Sequence, residues 1–483
     1  MSHPPSNVDI AGVPGDLPPD QVVARYASAR YQFRHDNAID PAAPTESDDV
    51  TITAFCGTVA AIASAVVVYT TDGTSPDDVD ATGKRTAHVA SMVRVSVQWM
   101  PFADYVEVWQ AVIPRQPNGT TVRYRIDGAI GDRAIRAIDG HGFWFRYPEE
   151  SGITCFAYRV GSRTAPPDWF RDAVVYQVFI DRFRRGADAP PLSTDLQKKH
   201  GGNLRGVRDA LPYLQELGIT CIWLTPIGPA PSYHRYDSTD PTQVDPVAGT
   251  VDDFVELSRD AAARGIRIML DFVPSHLSSK HPAFVDATQS PDSPYADWFV
   301  FYDWPDRYRS FLETVATLPS IDTNSRGARA YLIQCARVWL ERGAAGFRID
   351  HAIGHGSDFW TEFASALHDA QPDAVTLAEA TDTPDAVNTY RGRLDSVLDF
   401  PLAAAIRRTF GTLEWDIAAF DGFLSYHEEF AGRGPYRVAF IDNHDMDRFL
   451  HISGGDVRRL KVALFFLLTY PRTPVLYYGT EVG

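Results

Sequence analysis

The sequence predicts a (β/α)8 barrel of the TIM type, with a small insertion after its third strand and an N-terminal β-sandwich ahead of it. Three observations carry that prediction. From Pro167 onward, short apolar runs alternate with amphipathic ones, and eight strand-like runs can be counted, each but the last followed by a helical segment. Between Val50 and Val160 the rhythm differs, with short β-branched and aromatic runs separated by turn dipeptides. Several of the later runs also end on acids beside arginine or histidine, and side chains at the ends of barrel strands meet at one mouth.

Composition bounds what such a chain can do. Its 483 residues, 45% apolar and 12% aromatic, suffice for about three domains with large cores. A formal net charge of −17 argues against nucleic acid and anionic membrane as partners, since both are bound through clustered Lys and Arg. The start, residues 1–12, has no basic segment followed by an apolar run, and the apolar stretch 462–468 is too short to span a bilayer. Cys56, Cys155, Cys221 and Cys335 show no metal-ligand spacing, so free thiols in a cytoplasmic protein are expected.

Taken in order, residues 1–48 are rich in Pro, Asp and Ala and read as an irregular arm or linker. Residues 49–165 form the expected sandwich, with strands at 66–69, 93–97 and 122–126. Its turns are placed at Asp72-Gly73, Asn118-Gly119, Asp127-Gly128 and Asp139-Gly140. Pro166-Pro167 marks the boundary to the barrel, 166–483. Barrel strands are expected at 173–180, 220–225, 266–273, 345–349, 375–378, 394–398, 437–442 and 473–478. Helices are expected at 204–217, where Leu204, Val207, Leu211, Leu214 and Leu217 share a face, and at 251–264, 328–342, 357–370, 384–391, 401–430 and 457–469. The stretch 277–327, Pro-rich and aromatic, is longer than an ordinary loop and reads as an inserted subdomain. The chain stops at Gly483, directly after the eighth strand, and so reads as a barrel cut short before its eighth helix.

The chemistry centres on Gly346-Phe347-Arg348-Ile349-Asp350. Two residues apart on a strand, Arg348 and Asp350 share a side, and their ion pair is expected to keep the carboxylate charged, as a nucleophile requires. A purely structural ion pair is the bland alternative. Two further strand ends carry Glu379 and Asp445, so three acids converge on the mouth. Cleavage of a glycosidic bond needs one ionised and one protonated carboxyl group. Asp350 fits the first; Glu379, between Leu377, Ala378 and Ala380, is expected to have a raised pKa and to act as acid and then base. Asp445 is left to bind sugar hydroxyls and stabilise positive charge. His351 and His355, four apart, lack the Glu of a zinc-protease motif, and no metal site is expected.

The segments 271–276, 346–350, Glu379 and 440–445 match in order and spacing the four short motifs of the alpha-amylase family, glycoside hydrolase family 13, which the barrel resembles over 168–483. The resemblance implies a retaining mechanism with Asp350 as nucleophile, Glu379 as acid/base and Asp445 as transition-state stabiliser. It places Arg348, His276 and His444 around the sugar in subsite −1, with Asp271 in the same substrate-binding set, Tyr236 stacked on that sugar and His234 touching it. The closing segment 473–481 also matches the family's eighth strand. The sandwich, with 174–183 and 201–206, is similar to the cyclomaltodextrinase, neopullulanase and maltogenic amylase branch, whose members act on cyclodextrins, pullulan and short maltooligosaccharides and often dimerise through that module. The implied function is a retaining glycoside hydrolase that cleaves α-1,4, and as a further linkage α-1,6, glucosidic bonds in such substrates or in starch-like glucans. Alternatives are an α-glucan transferase with the same covalent mechanism and a non-catalytic glucan-binding protein. Three features depart from the pattern: Ser275 stands where the family has Asn, Ala380-Thr381-Asp382 replaces a common Trp and His, and the C-terminal β-domain is missing. No cofactor is required by this reading, and Ser275 disfavours the calcium that many amylases bind.

Overall fold

A computed structural model describes residues 23, 26–79, 87–140, 155–186, 194–195 and 197–483. The N-terminal part is a sandwich of two sheets. One runs in the order Ile138–Asp139, Phe33–His35, Val50–Gly57, Asp104–Ile113, Val93–Met100, and the other in the order Phe156–Arg159, Thr121–Ile130, Ser64–Thr70, His88–Ser91. Period-two patterning explains the packing: along Val50–Gly57 the side chains of Val50, Ile52, Ala54 and Cys56 are buried and those between them are not. They meet Val67, Tyr124, Ile126 and Phe156 from the other sheet in one apolar core.

Two sequence expectations change here. The arm does not extend to residue 48: Phe33–His35 and Ile39–Asp40 are strands that pair with Val50–Gly57, and Phe33 and Ile39 lie in the sandwich core. Apolar side chains spaced for burial outweigh the surrounding Pro and Asp; residues 1–22 lie outside the described residues. Asp127-Gly128 is no turn but part of the strand Thr121–Ile130. Gly128 is there for close approach, because a Cβ at that position would come within 2.9 Å of the Phe33 ring.

The rest of the chain closes a parallel barrel of strands β1 (Val175–Val178), β2 (Cys221–Leu224), β3 (Arg267–Phe272), β4 (Gly346–Ile349), β5 (Val375–Ala378), β6 (Ser396–Leu398), β7 (Tyr436–Phe440) and β8 (Pro474–Tyr477). Alternate residues divide between two cores. Val175, Cys221, Trp223, Met269, Val375, Leu377 and Val438 fill the barrel, whereas Tyr176, Ile222, Leu224, Ile268, Leu270 and Phe347 pack outward on the helices. The helix expected over 204–217 is split into Leu204–Asp209 and Leu211–Glu216, with Pro212 in the first turn of the second piece. The segment expected over 401–430 is also divided, into Phe400–Ile406, a π-helical turn Arg407–Gly411 and Ile417–Ala431. The insertion holds a helix, Pro282–Gln289, and two small hairpins. Among the described residues no helix is long and apolar enough to cross a membrane.

Arginines join the sandwich to the barrel. Arg393, buried, donates to the carbonyls of Asn37 and Ala157 in the sandwich. Arg163, in the connecting segment, bonds Asp395 at 2.8 Å and the carbonyls of Pro372 and Ala374. Asp395 also accepts from the backbone N–H and hydroxyl of Thr376. Burial alone would raise the pKa of Asp395, but His368 and Arg163 outweigh it and hold the carboxyl below its ordinary value. A depressed folded pKa stabilises above the unfolded pKa and ceases to as pH falls through the folded value. Arg163→Met is therefore expected to cost about 2 kcal/mol at pH 7, with the deficit shrinking below about pH 4. Urea unfolding at the two pH values measures this, and equal stability at pH 7 would refute the pairing as a contributor.

Candidate active site

The C-terminal mouth of the barrel is built around one guanidinium. Arg348 of β4 points inward because Phe347 and Ile349 on either side pack outward, and its side chain is fully buried. Register places Asp271 of β3 directly beside it. Nη1 donates to Asp271 Oδ1 at 2.9 Å and to Asp350 Oδ1 at 2.7 Å, and Nη2 lies 2.7 Å from Glu379 Oε1. The Trp223 ring of β2 lies 5.2 Å from the guanidinium carbon, a cation–π contact that also covers it from solvent. The expected pair is thus one contact of a cluster of three carboxylates around a single arginine.

That crowding corrects two expectations. Arg348 does not by itself hold Asp350 in the ordinary carboxylate range: burial raises the Asp350 pKa, with Arg348 opposing. Burial likewise pushes Asp271 up to about 7, again against Arg348. One positive charge divided among three carboxylates does not offset the desolvation of Asp350 and Asp271. The apolar surround expected for Glu379 is not there either. Ala378 is packed outward, whereas the Glu379 carboxylate meets Arg348 and accepts the His351 backbone N–H at 3.0 Å. His351 itself adopts a left-handed backbone, φ 46°, in the turn where that N–H meets the carboxylate.

Asp271, expected among the substrate contacts, has no exposed side-chain surface. It accepts from Trp223 Nε1 at 3.1 Å and from the Tyr236 hydroxyl at 2.9 Å, and so supports the site from beneath. Tyr236 stacks in parallel on His444, ring centroids 5.5 Å apart, with its hydroxyl 2.6 Å from His444 Nε2. His444 Nε2 also lies 3.2 Å from Asp445 Oδ2, which brings Asp445 to the rim of the same mouth. His234 accepts the Tyr236 backbone N–H. His276 is engaged at both nitrogens, by Ser275 Oγ and the Tyr236 carbonyl, with the Phe311 ring of the insertion 4.8 Å away. Burial lowers the pKa of His276 and of His444 to about 3, so both are neutral at neutral pH. The structure thus brings all the expected residues to one mouth, with the Asp271 side chain buried beneath the others.

Sequence reasoning missed three contributors. Trp223 lies in the expected strand 220–225, where nothing in the sequence marks it off from its apolar neighbours. The His351 N–H depends on a backbone angle that no motif announces. Gln177, 2.7 Å from His444 Nδ1, left a usable signal: a single amide inside the apolar run 173–180. His351 and His355 turn to different neighbours, His351 to Phe311 and His355 to Phe359 and Trp360. The hydroxyl of Ser275, its only side-chain oxygen, lies 2.9 Å from His276 Nδ1.

A parallel barrel with paired carboxyl groups at its C-terminal mouth defines an enzyme-type barrel whose working groups are carboxyls. The chain belongs to the alpha-amylase family: the family model described as alpha amylase, catalytic domain, matches residues 177–483. It is 37% identical over 318 residues to Alpha-amylase 2 of Dictyoglomus thermophilum, covering 66% of this chain and 56% of that protein. To Neopullulanase 2 of Thermoactinomyces vulgaris it is 35% identical over 357 residues, covering 69% of this chain and 60% of that one. Among solved structures, the type III pullulan hydrolase from Thermococcus kodakarensis superposes with a TM-score of 0.61 at 26% identity, over 91% of this chain and 80% of that one. The chain spans less than two thirds of the length of these curated relatives.

The shared arginine generates a test. Arg348→Met leaves buried carboxyls without their cation, at a cost on the order of 3–5 kcal/mol at pH 7. Carboxyls with raised folded pKa bind more protons in the native state, so stability falls as pH rises through their titration. The variant is therefore expected to melt closer to the parent at pH 5 than at pH 7. A constant difference in melting temperature across that range would contradict the cluster's electrostatics.

Proposed function

We propose that this chain is a retaining glycoside hydrolase acting on α-1,4- and α-1,6-linked glucans. The observation that carries the reading is the placement of Asp350 and Glu379 on one guanidinium at the barrel mouth, with Asp445 at its rim. Three carboxylates against one arginine leave an excess of negative charge in a buried place, which favours retention of a proton in the cluster. A retaining glycosidase needs one. Glu379, entering in its acid form, would deliver a proton to the glycosidic oxygen as Asp350 attacks the anomeric carbon and the leaving sugar departs. Water would then cleave the glycosyl–Asp350 ester, giving its proton to Glu379 as the hydroxyl joins the sugar. Asp445 would offset the positive charge that builds on the ring between these steps, with Tyr236, His234, His276 and His444 holding the sugar.

Relatives named alpha-amylase and neopullulanase, and a neighbour named pullulan hydrolase, support maltooligosaccharides, cyclodextrins and pullulan as the substrates to try. The engaged hydroxyl of Ser275 supports activity without calcium. Four free cysteines support a cytoplasmic location. The strand Val93–Met100, at a sheet edge with Val93, Val95, Val97 and Trp99 exposed, supports a homodimer through the sandwich. Sedimentation should then give twice the chain mass, and the monomer mass for Val95→Lys with Val97→Lys.

Turnover tests the central reading. The parent is expected to release reducing sugar from γ-cyclodextrin, pullulan or maltotriose, with or without a calcium chelator, and Asp350→Asn to lose at least about 10⁴-fold in kcat. Because burial raises Asp350, the acid limb of kcat/KM should lie above the ordinary carboxylate pKa of 3.8. A fluorinated glucosyl donor should label Asp350, detectable by peptide mass. A folded parent without turnover would defeat the hydrolase assignment, and inversion at the anomeric centre would defeat the nucleophile.

A further inference from the structure

A line of side chains crosses beneath the mouth from β1 to β3. It begins at Gln177, which is fully buried, with Val175 before it in the barrel interior. Its side-chain Nε2 lies 2.7 Å from His444 Nδ1, and its Oε1 has no hydrogen-bond partner among the described residues. An amide N–H can only donate, so Nδ1 accepts, and a neutral imidazole then carries its proton on Nε2. That nitrogen faces two oxygens, Tyr236 Oη at 2.6 Å and Asp445 Oδ2 at 3.2 Å. With an N–H there, both oxygens meet a donor. Tyr236, receiving from His444, keeps its own proton for Asp271 Oδ2 at 2.9 Å. The whole line therefore points one way, from Gln177 through His444 and Tyr236 to Asp271.

The opposite polarity fails at each end. If the amide oxygen faced Nδ1, the proton would sit there and Nε2 would present a lone pair. Tyr236 would then turn its hydroxyl from Asp271 to His444, and the carboxylate of Asp445 would face that lone pair. Asp271 would lose a donor in a place with no solvent to replace it.

We propose that Gln177 is a positioning residue that fixes His444 as the Nε2–H tautomer and thereby aims the Tyr236 hydroxyl at Asp271. Its consequence for turnover rests on the hydrolase reading, whereas the tautomer does not. In the full chain labelled with ¹⁵N-histidine, two-bond ¹⁵N–¹H correlation spectra report which ring nitrogen is protonated, and the resonances lost in His444→Gln identify the residue. The parent should show Nε2–H. Gln177→Glu, which offers only acceptors, should move the proton to Nδ1 or protonate both nitrogens, and should lower kcat/KM on γ-cyclodextrin at least about tenfold. Gln177→Met, which removes the donor without adding an acceptor, covers the case in which Gln177→Glu does not fold: it should show a mixture of tautomers. An Nδ1–H signal in the parent, or a tautomer unchanged in either variant, overturns the assignment. A switched tautomer with unchanged kcat/KM overturns the positioning role. An Nε2–H parent that turns over no glucan removes the hydrolase reading and leaves the proton's placement intact.

Discussion

A guanidinium buried inside a barrel must be surrounded by acceptors, and the requirements of Arg348 reach through the whole mouth. Its charge cannot be left in an apolar interior without partners. The parallel register of β3 and β4 supplies Asp271, the turn after β4 supplies Asp350, and the end of β5 supplies Glu379. Trp223 covers the remaining face and spends its own N–H on Asp271. Groups from four strands and the turn after β4 therefore meet at one side chain, and a shift of one residue in β4 would point it at the helices instead.

The groups around that cluster are kept neutral. His276 and His444 lie too deep to ionise at neutral pH, so they act through the direction of their hydrogen bonds rather than through charge. Direction is set by partners that can act in one sense only: the Tyr236 carbonyl, which can only accept, for His276 and the Gln177 amide for His444. The insertion adds Phe311, whose ring lies 4.8 Å from His276 and 4.9 Å from His351, so the segment after β3 closes one side of the mouth with apolar surface.

Much of this was legible in the sequence wherever a local period decides geometry. The eight barrel strands follow from apolar runs, and the contact of Arg348 with Asp350 follows from two-residue alternation. Expectations failed where the deciding partner is distant along the chain. The apolar neighbours of Glu379 say little about its carboxylate, because adjacent side chains on an extended strand diverge and its partners come from β4 and the turn beyond. Gly128 looks like a turn residue until Phe33, 95 positions earlier, is seen to need its space. The arm before residue 48 failed for the same reason, since two apolar side chains find partners that composition does not reveal.

The four acids of the mouth differ less in identity than in depth, and depth sorts them. Side-chain exposure is 0% at Asp271, 11% at Asp350, 15% at Glu379 and 61% at Asp445. The deepest is saturated with donors from Trp223, Tyr236 and Arg348, so its work is to hold other residues. The middle two share the arginine yet keep an open edge, which is what groups that must bond to a substrate atom and exchange a proton with it require. The outermost can meet a ligand only by being covered by it, and its electrostatic effect would then strengthen as water leaves. A single buried charge thus does more than anchor the barrel: it holds three of the four carboxyls at graded depths below solvent, and under the proposed hydrolase reading that grading would separate support from chemistry among residues of nearly the same kind.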